Sequence, residues 1–275
     1  MSLRRLALAV LLAAAVPAAA RAQVQISCTL RHTRVLPLEP LMATVRIDNQ
    51  TGTPIQVGDG GGASLSFVVE SSPGRAVNLL RPPDEVSFTV PAHGRFEGTF
   101  FLHDTYDLRR PRPYTVQARL IWRNQVFGSA RTNLDVVPGM EVASAVAALL
   151  PEEGARPARR TYSLHTLSRN QQEVLLIRIE DPDQNLVYAV HGLGRIVRGR
   201  PPALRIDGEG NAHVLHRISP FAYAYHVIGP DGHLIDQEGL STEGEALDLS
   251  EDGRGRIRVQ RGERVTPIRP PGGLR

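Results

Sequence analysis

Apolar and polar residues alternate along most of this chain. Val24, Ile26, Cys28 and Leu30 are interleaved with Gln25, Ser27 and Thr29. Leu41, Ala43, Val45 and Ile47 are interleaved with Met42, Thr44, Arg46 and Asp48. A period of two puts the apolar set on one side of a pleated strand, so each run predicts a half-buried β-strand, with Cys28 facing inward. Further strands are expected over Ser64 to Glu70, Val86 to Val90, Arg95 to Leu102, Tyr114 to Trp122 and Val126 to Val136. Turn-forming stretches separate them: Asn49 to Pro54, Asp59 to Gly62, Ser71 to Gly74 and Pro91 to Gly94. Seven or eight strands in about 115 residues, with turns every ten or so, predict a β-sandwich over residues 23–138.

The pattern changes twice. Residues 1–22 begin with Arg4 and Arg5, continue through an apolar Leu/Ala/Val run and close on Ala20-Arg21-Ala22. This is the layout of a secretory signal peptide cleaved before Gln23, too short to span a bilayer. Export to the periplasm or beyond is therefore expected, with no membrane span after cleavage. Met140 to Leu150 is rich in Ala and Leu and stops at Pro151. Those residues favour a short helix, so 139–160 is expected to be a helix and a polar linker.

Residues 161–263 contain an internal repeat. Ile177 to Val187, with Pro182-Asp183, recurs as Tyr225 to Ile235, with Pro230-Asp231, 48 residues later. Leu204 to Gly208 recurs as Leu247 to Gly253, with a 45-residue offset between the Asp-Gly pairs. Tyr162 to His165 opens the first unit and His213 to His216 the second. Two to two-and-a-half units of four-stranded β-meander are expected. Residues 264–275 are Pro/Gly/Arg-rich and are expected to be a disordered tail. The whole chain is thus expected to be all-β, apart from the short helix.

Two resemblances sharpen this. Glu39 to Asn49 with Gly52 to Ile55, and later Pro113 to Ala118, resemble bacterial immunoglobulin-like domains and the related proteinase-inhibitor sandwich. Tyr114 stands two residues before the antibody cysteine position, which is Val116 here, so the inter-sheet disulfide of antibodies is absent. Ile206 to Val214 resembles the blade junctions of bacterial β-propellers, including sialidase-like repeats. The sialidase Ser-x-Asp-x-Gly-x-Thr-Trp box and arginine triad are missing, so the resemblance implies stacked meanders and not sialidase chemistry.

Composition narrows the function classes. The chain has no lysine, so all 32 basic residues are arginine, a bias that fits a GC-rich bacterial genome. Loss of Arg4, Arg5 and Arg21 with the signal takes the formal charge from +4 to about +1. Acids and arginines are interspersed, which argues against nucleic acid as a partner. Cys28 is the only cysteine, and Gln25 in front of it does not suit a lipoprotein anchor.

Candidate chemistry resolves mostly into structure. His103, Asp104, Tyr106 and Asp107 form a polar cluster that reads as a solvated loop with arginines for local pairing. Asp207, Glu209 and Asn211 alternate like calcium ligands, but the glycine and bidentate glutamate of an EF-hand are absent, so a Gly-rich turn is expected. His213 and His216 face opposite sides of a strand, while His226 and His233 flank a turn and could meet across a hairpin. Tyr223, Tyr225 and Val227, with Phe221, form a row expected in the core. Asn49-Gln50-Thr51 matches a glycosylation sequon by chance.

No nucleophile elbow, phosphate loop, zincin motif or paired-carboxylate arrangement is present. No residue is therefore assigned a catalytic, cofactor-binding or metal-ligating role. The expected function is a secreted or periplasmic, non-enzymatic binding protein, monomeric, with a protein or glycan partner in the envelope or outside the cell. The alternatives are a glycan-active, sialidase-like enzyme fragment and an inhibitor of exported proteases. A concave pocket with convergent acids would favour the enzyme, and a long projecting loop the inhibitor. N-terminal sequencing of the exported protein is expected to start at Gln23; a lipid-bearing start at Cys28 would replace free export by anchoring.

Overall fold

In a computed structural model, residues 23–58, 60–71, 74–149, 158–243, 246–260 and 266–268 are described. The expected signal peptide, most of the expected linker and most of the expected tail lie outside them. None of the described residues is helical.

The first unit contains β1 (Val24–Leu30), β2 (Arg34–Val35), β3 (Met42–Asn49), β4 (Ile55–Val57), β5 (Ala63–Ser71), β6 (Arg75–Ala76), β7 (Phe88–Val90), β8 (Arg95–Phe101), β9 (Arg112–Trp122), β10 (Gln125–Gly128) and β11 (Thr132–Val136). They form a short sheet, β1-β3-β8, and a wider one, β2-β11-β9-β5-β4-β7, with β10 on β9 and β6 on β5. The alternating residues predicted to face inward do so: Ala43, Val45 and Ile47 pack against Val116, Ala118 and Leu120 of the other sheet. Cys28 is buried in the same core. The single strand expected over Val126 to Val136 is broken at Ser129: its N–H still donates to the Ala118 carbonyl at 2.9 Å, but its side-chain Oγ accepts the Ala118 N–H at 3.1 Å. The Tyr114 hydroxyl donates to the Arg110 carbonyl at 2.8 Å, four residues back along the chain.

The second unit begins earlier than predicted. Met140–Leu149 is a strand, β12, and not a helix. It pairs antiparallel with β13 (Ala158–Arg169), from Met140↔Thr166 to Leu149↔Ala158. The helical propensity of its alanines is outweighed by what the strand covers. Ala143, Ala147 and Leu149 lie in the core against the next sheet, where small side chains allow close approach. The expected linker is therefore the connection within a hairpin, and β12 is the first strand of a meander completed by β14 (Gln172–Asp181) and β15 (Leu186–Arg195).

A second meander follows: β16 (Ala203–Ile206), β17 (Ala212–Ser219), β18 (Ala222–Ile228) and β19 (Leu234–Ser241). A hairpin of β20 (Asp248–Glu251) and β21 (Ile257–Gln260) stands as the start of a third. β22 (Thr266–Ile268), inside the stretch expected to be a disordered tail, pairs with Gly239 to Ser241 at the edge of β19. The sequence repeat is real but out of phase with the sheets, since Tyr162 and His213 open the second strand of each meander.

The layers stack in order. Val187, Val190, Leu167 and Leu176 of the first meander cover Leu36 and Val137 of the sandwich unit. Its other face, with Tyr162, Leu164, Leu175 and Ile177, packs on Ala212, Val214 and Ile228 of the second meander. The far face of that meander, with Leu215, Tyr223, Tyr225 and Leu240, is capped by Leu249 and Ile257 of the hairpin. The aromatic row is thus core, except Phe221, which is 60% exposed in the turn before β18.

Trp122 is 8% exposed, and the Arg123 guanidinium sits 4.4 Å over its ring. Trp122→Ala is expected to cost about 3–5 kcal/mol of stability by denaturant titration. A silent substitution would show that this end of β9 carries no core load.

Candidate functional site

The two units meet at a seam built from one short loop and one hairpin tip. Gly139 joins them with φ of 70°. A side chain there would press Leu36 Cδ2 at 2.8 Å, so the position takes glycine on both counts. Glu39 closes the Leu36–Glu39 turn by accepting the Leu36 N–H at 2.9 Å. The same carboxylate receives the Arg169 guanidinium from the end of β13. Arg169 Nε donates to the Arg34 carbonyl at 2.7 Å. Both charged side chains are nearly closed to solvent, and a buried pair this well bonded fixes register between its elements.

Two clefts flank the seam. One, of about 620 Å³, is polar and lined by Arg31, His32, Arg34, Asp135, Ser168 and Arg169, among others. Burial, with Arg169 and Arg31 close by, pushes the His32 imidazole down to about 4. The other, of about 540 Å³, lies between Leu80, His103 and Asp104 of the sandwich and Tyr188, His191 and His233 of the meanders. His191 Nε2 lies 2.6 Å from the Gly232 carbonyl and so carries a proton toward it.

Behind the second cleft, Arg160 ties the two Pro-Asp turns of the repeat together. Its guanidinium donates to Asp181 Oδ2 at 3.0 Å and to the Pro230 carbonyl at 3.2 Å. It also stacks 3.7 Å over the Tyr188 ring. Asp181 holds its own turn by accepting the N–H groups of Asp183 and Gln184. No sequence motif marks Arg160, because its partners come from three distant turns and strands.

The remaining candidates separate as follows. Asp207 spends its carboxylate on the turn: it accepts the backbone N–H groups of Glu209 and Asn211, the Asn211 amide and His213 Nε2, the last at 2.9 Å. Despite the opposing cost of burial, these hydrogen bonds hold its carboxyl below the usual range. His213 Nδ1 lies 2.6 Å from the Tyr225 hydroxyl, so Asp207, His213 and Tyr225 form one buried chain. His213 and His216 do face opposite ways. His226 does not meet His233: it opposes Gln237 in the ladder and stacks on His216 across β17 and β18, with ring centroids 5.5 Å apart. His233 pairs with Asp231 in the turn.

In the first unit Asp107 pairs locally with Arg109 at 2.8 Å, as expected. Tyr106 departs from the solvated-loop reading. It is buried and donates to the Phe67 carbonyl at 2.6 Å, plugging the open end of the sandwich. Among the described residues no group of three or more His, Cys, Asp or Glu side chains is placed to hold a metal ion.

No family model and no curated protein matches this chain. Among solved structures, the crystal structure of Spo0M, a sporulation control protein from Bacillus subtilis, aligns over 60% of this chain and 83% of its own, with 13% identity and a TM-score of 0.27. A similarity that slight carries nothing over to this protein.

The stacked histidines make a pH prediction. None of their four buried ring nitrogens makes a well-formed hydrogen bond among the described residues, although the Arg195 and Leu193 backbone lies close to His216 and His226. Burial pushes His216 down to about 3, with His226 adding to it, and burial pushes His226 down to about 4. Unfolding frees both rings to titrate near 6.5, so the unfolded chain binds more protons below that pH. Stability is expected to be full above pH 6.5 and to fall as the pH drops toward 4. Thermal midpoints measured across that range should fall less steeply in His226→Leu than in the wild type. Equal slopes would remove the pair from the acid transition.

Proposed function

We propose that this chain is an exported, non-enzymatic binding protein that grips its partner across the seam between its two units. The observation that carries this reading is the seam itself. A sterically required glycine, the buried Glu39–Arg169 pair and a shared apolar contact hold two β-rich units in one relation, with an open cleft on each side. Clefts between rigid units are where ligands and partners commonly bind.

The rest of the chemistry points the same way. The hydrogen-bonded sets that could resemble catalytic groups are buried and committed to the fold: Asp207–His213–Tyr225 between the second meander and its turn, and Arg160–Asp181 across two turns. The groups that do line the clefts are arginines, histidines, amides and hydroxyls suited to recognition, with the carboxylates of Asp135, Asp104 and Asp231, the last two paired with His103 and His233. The signal-like N-terminus supports export, and a protein or glycan of the envelope or the medium is the partner class that compartment offers.

The test uses the exported protein immobilised and exposed to the envelope and culture-fluid fractions. A species retained by the wild type should be lost with Arg31→Glu plus Arg34→Glu, or with His103→Glu plus His233→Glu. It should be kept by Arg205→Glu, on β16 away from the seam. Retention insensitive to both cleft pairs would refute the seam as the binding site.

A further inference from the structure

The sandwich has sheets of unequal width. Three strands, β1-β3-β8, lie over a sheet whose main path has six. The short sheet ends at β8, and beyond it the inner face of β5 is left only half-covered. Leu65 and Phe67 of β5 remain half-buried there, and Phe67 reaches the Phe100 ring of β8 at a centroid distance of 5.4 Å. Between them is a cavity of about 170 Å³ lined by Leu65, Phe67, Val86, Phe100 and Tyr106, among others. That is on the scale of the roughly 150 Å³ apolar cavities that accept a benzene ring.

The outer edge of β8 pairs with no other strand, although the segment with Pro83, Asp84 and Val86 lines the cavity beside its Thr99–Phe101 end. Asn49 N–H donates to the Gly94 carbonyl and Leu102 N–H to the Leu41 carbonyl, each at 2.9 Å. The register runs from Met42↔Phe101 to Asp48↔Arg95. Antiparallel ladders alternate bonded and non-bonded pairs, so Phe96, Gly98 and Phe100 bond to β3. Arg95, Glu97, Thr99 and Phe101 must then aim their N–H and C=O groups away from it. None of those four finds a backbone partner among the described residues. Arg95 is paired with Asp48 at 2.6 Å, whereas Glu97 is exposed and makes no ion pair among the described residues.

We infer that the β8 edge is a docking site for an extended strand of another polypeptide, added as the fourth strand of the short sheet. The backbone of Arg95, Glu97, Thr99 and Phe101 supplies the pairing. The added strand's inward side chains are apolar and fill the gap between Phe100 and the Leu65–Phe67 pair. One of its outward side chains is basic and stands opposite Glu97. This is strand addition, in which main-chain bonds give affinity and alternate side chains give selectivity. A second copy of this chain fits the edge less well. In the fully overlapping antiparallel register two β8 strands centre on Gly98, and their Glu97 carboxylates become diagonal neighbours of like charge. The inference does not rest on the seam reading, although Phe101 at the end of the edge lies 6.0 Å, ring to ring, from His103 of the second cleft.

The probe is a capped octapeptide alternating valine and threonine, with one central threonine replaced by arginine, added to the mature protein. The expected result is protection from hydrogen exchange at the amides of Arg95, Glu97, Thr99 and Phe101. Methylating the peptide nitrogens that face β8 should weaken binding at least tenfold. Thr99→Pro should do the same, and it leaves the β3 ladder intact because the Thr99 N–H points outward. Unchanged exchange at those four amides would overturn the inference, as would equal binding of the methylated peptide. Protection that appears without peptide and grows with protein concentration would assign the edge to a second copy instead, and would also overturn it.

Discussion

A sheet that is apolar on both faces has to be covered on both, and most of this structure follows from that constraint. The first meander carries Leu176 and Val190 on one face and Leu175, Ile177 and Leu193 on the other. Neither face can be left in water, because burial of apolar area is the main favourable term in folding. The sandwich unit covers one face and the second meander the other. The second meander has the same problem, and the β20–β21 hairpin answers it. Each layer is thus both a load and a cover. The blade-like repeat persists without closing into a ring because its two ends are capped by different things.

The same constraint accounts for the buried polar groups. Where strands of two layers cross, backbone and side-chain donors are cut off from water and need partners nearby. Tyr162, fully buried, reaches the Gly210 carbonyl across the two meanders. Leu149 packs so close to Gly210 that a side chain there would lie 2.4 Å from it. Arg160 serves turns from both meanders at once. The stacked histidines are one exception, as are His103 and His165 at one nitrogen each: these ring nitrogens are buried without a well-formed hydrogen bond. The stacked pair is therefore the most pH-sensitive element of a mostly well-satisfied interior.

Most of the sandwich was legible in the sequence, because period-two alternation is decided by one buried face and that face exists. Leu41 to Ile47 and Tyr114 to Trp122 are examples. Met140 to Leu149 was not legible. Its alanines say helix locally, and only a neighbouring sheet that needs small side chains makes them a strand. The repeat could be seen but not phased, since sequence similarity is strongest in the turns and not at the sheet boundaries. The seam left almost no trace. Glu39 and Arg169 are 130 residues apart, and nothing local distinguishes them from other acids and arginines. The histidine pair was missed for a related reason: His216 and His226 become neighbours only through the β17–β18 register.

Gly139 gives the molecule a mechanical character. Everything after it, from β12 to the hairpin at the far end of the stack, is joined in the chain to the sandwich through a single residue whose torsion a side chain would not tolerate easily. The Glu39–Arg169 pair adds a second, buried tie between the two units beside that residue. Because both clefts border the same seam, one glycine, one ion pair and one small apolar cluster set the width of both at once.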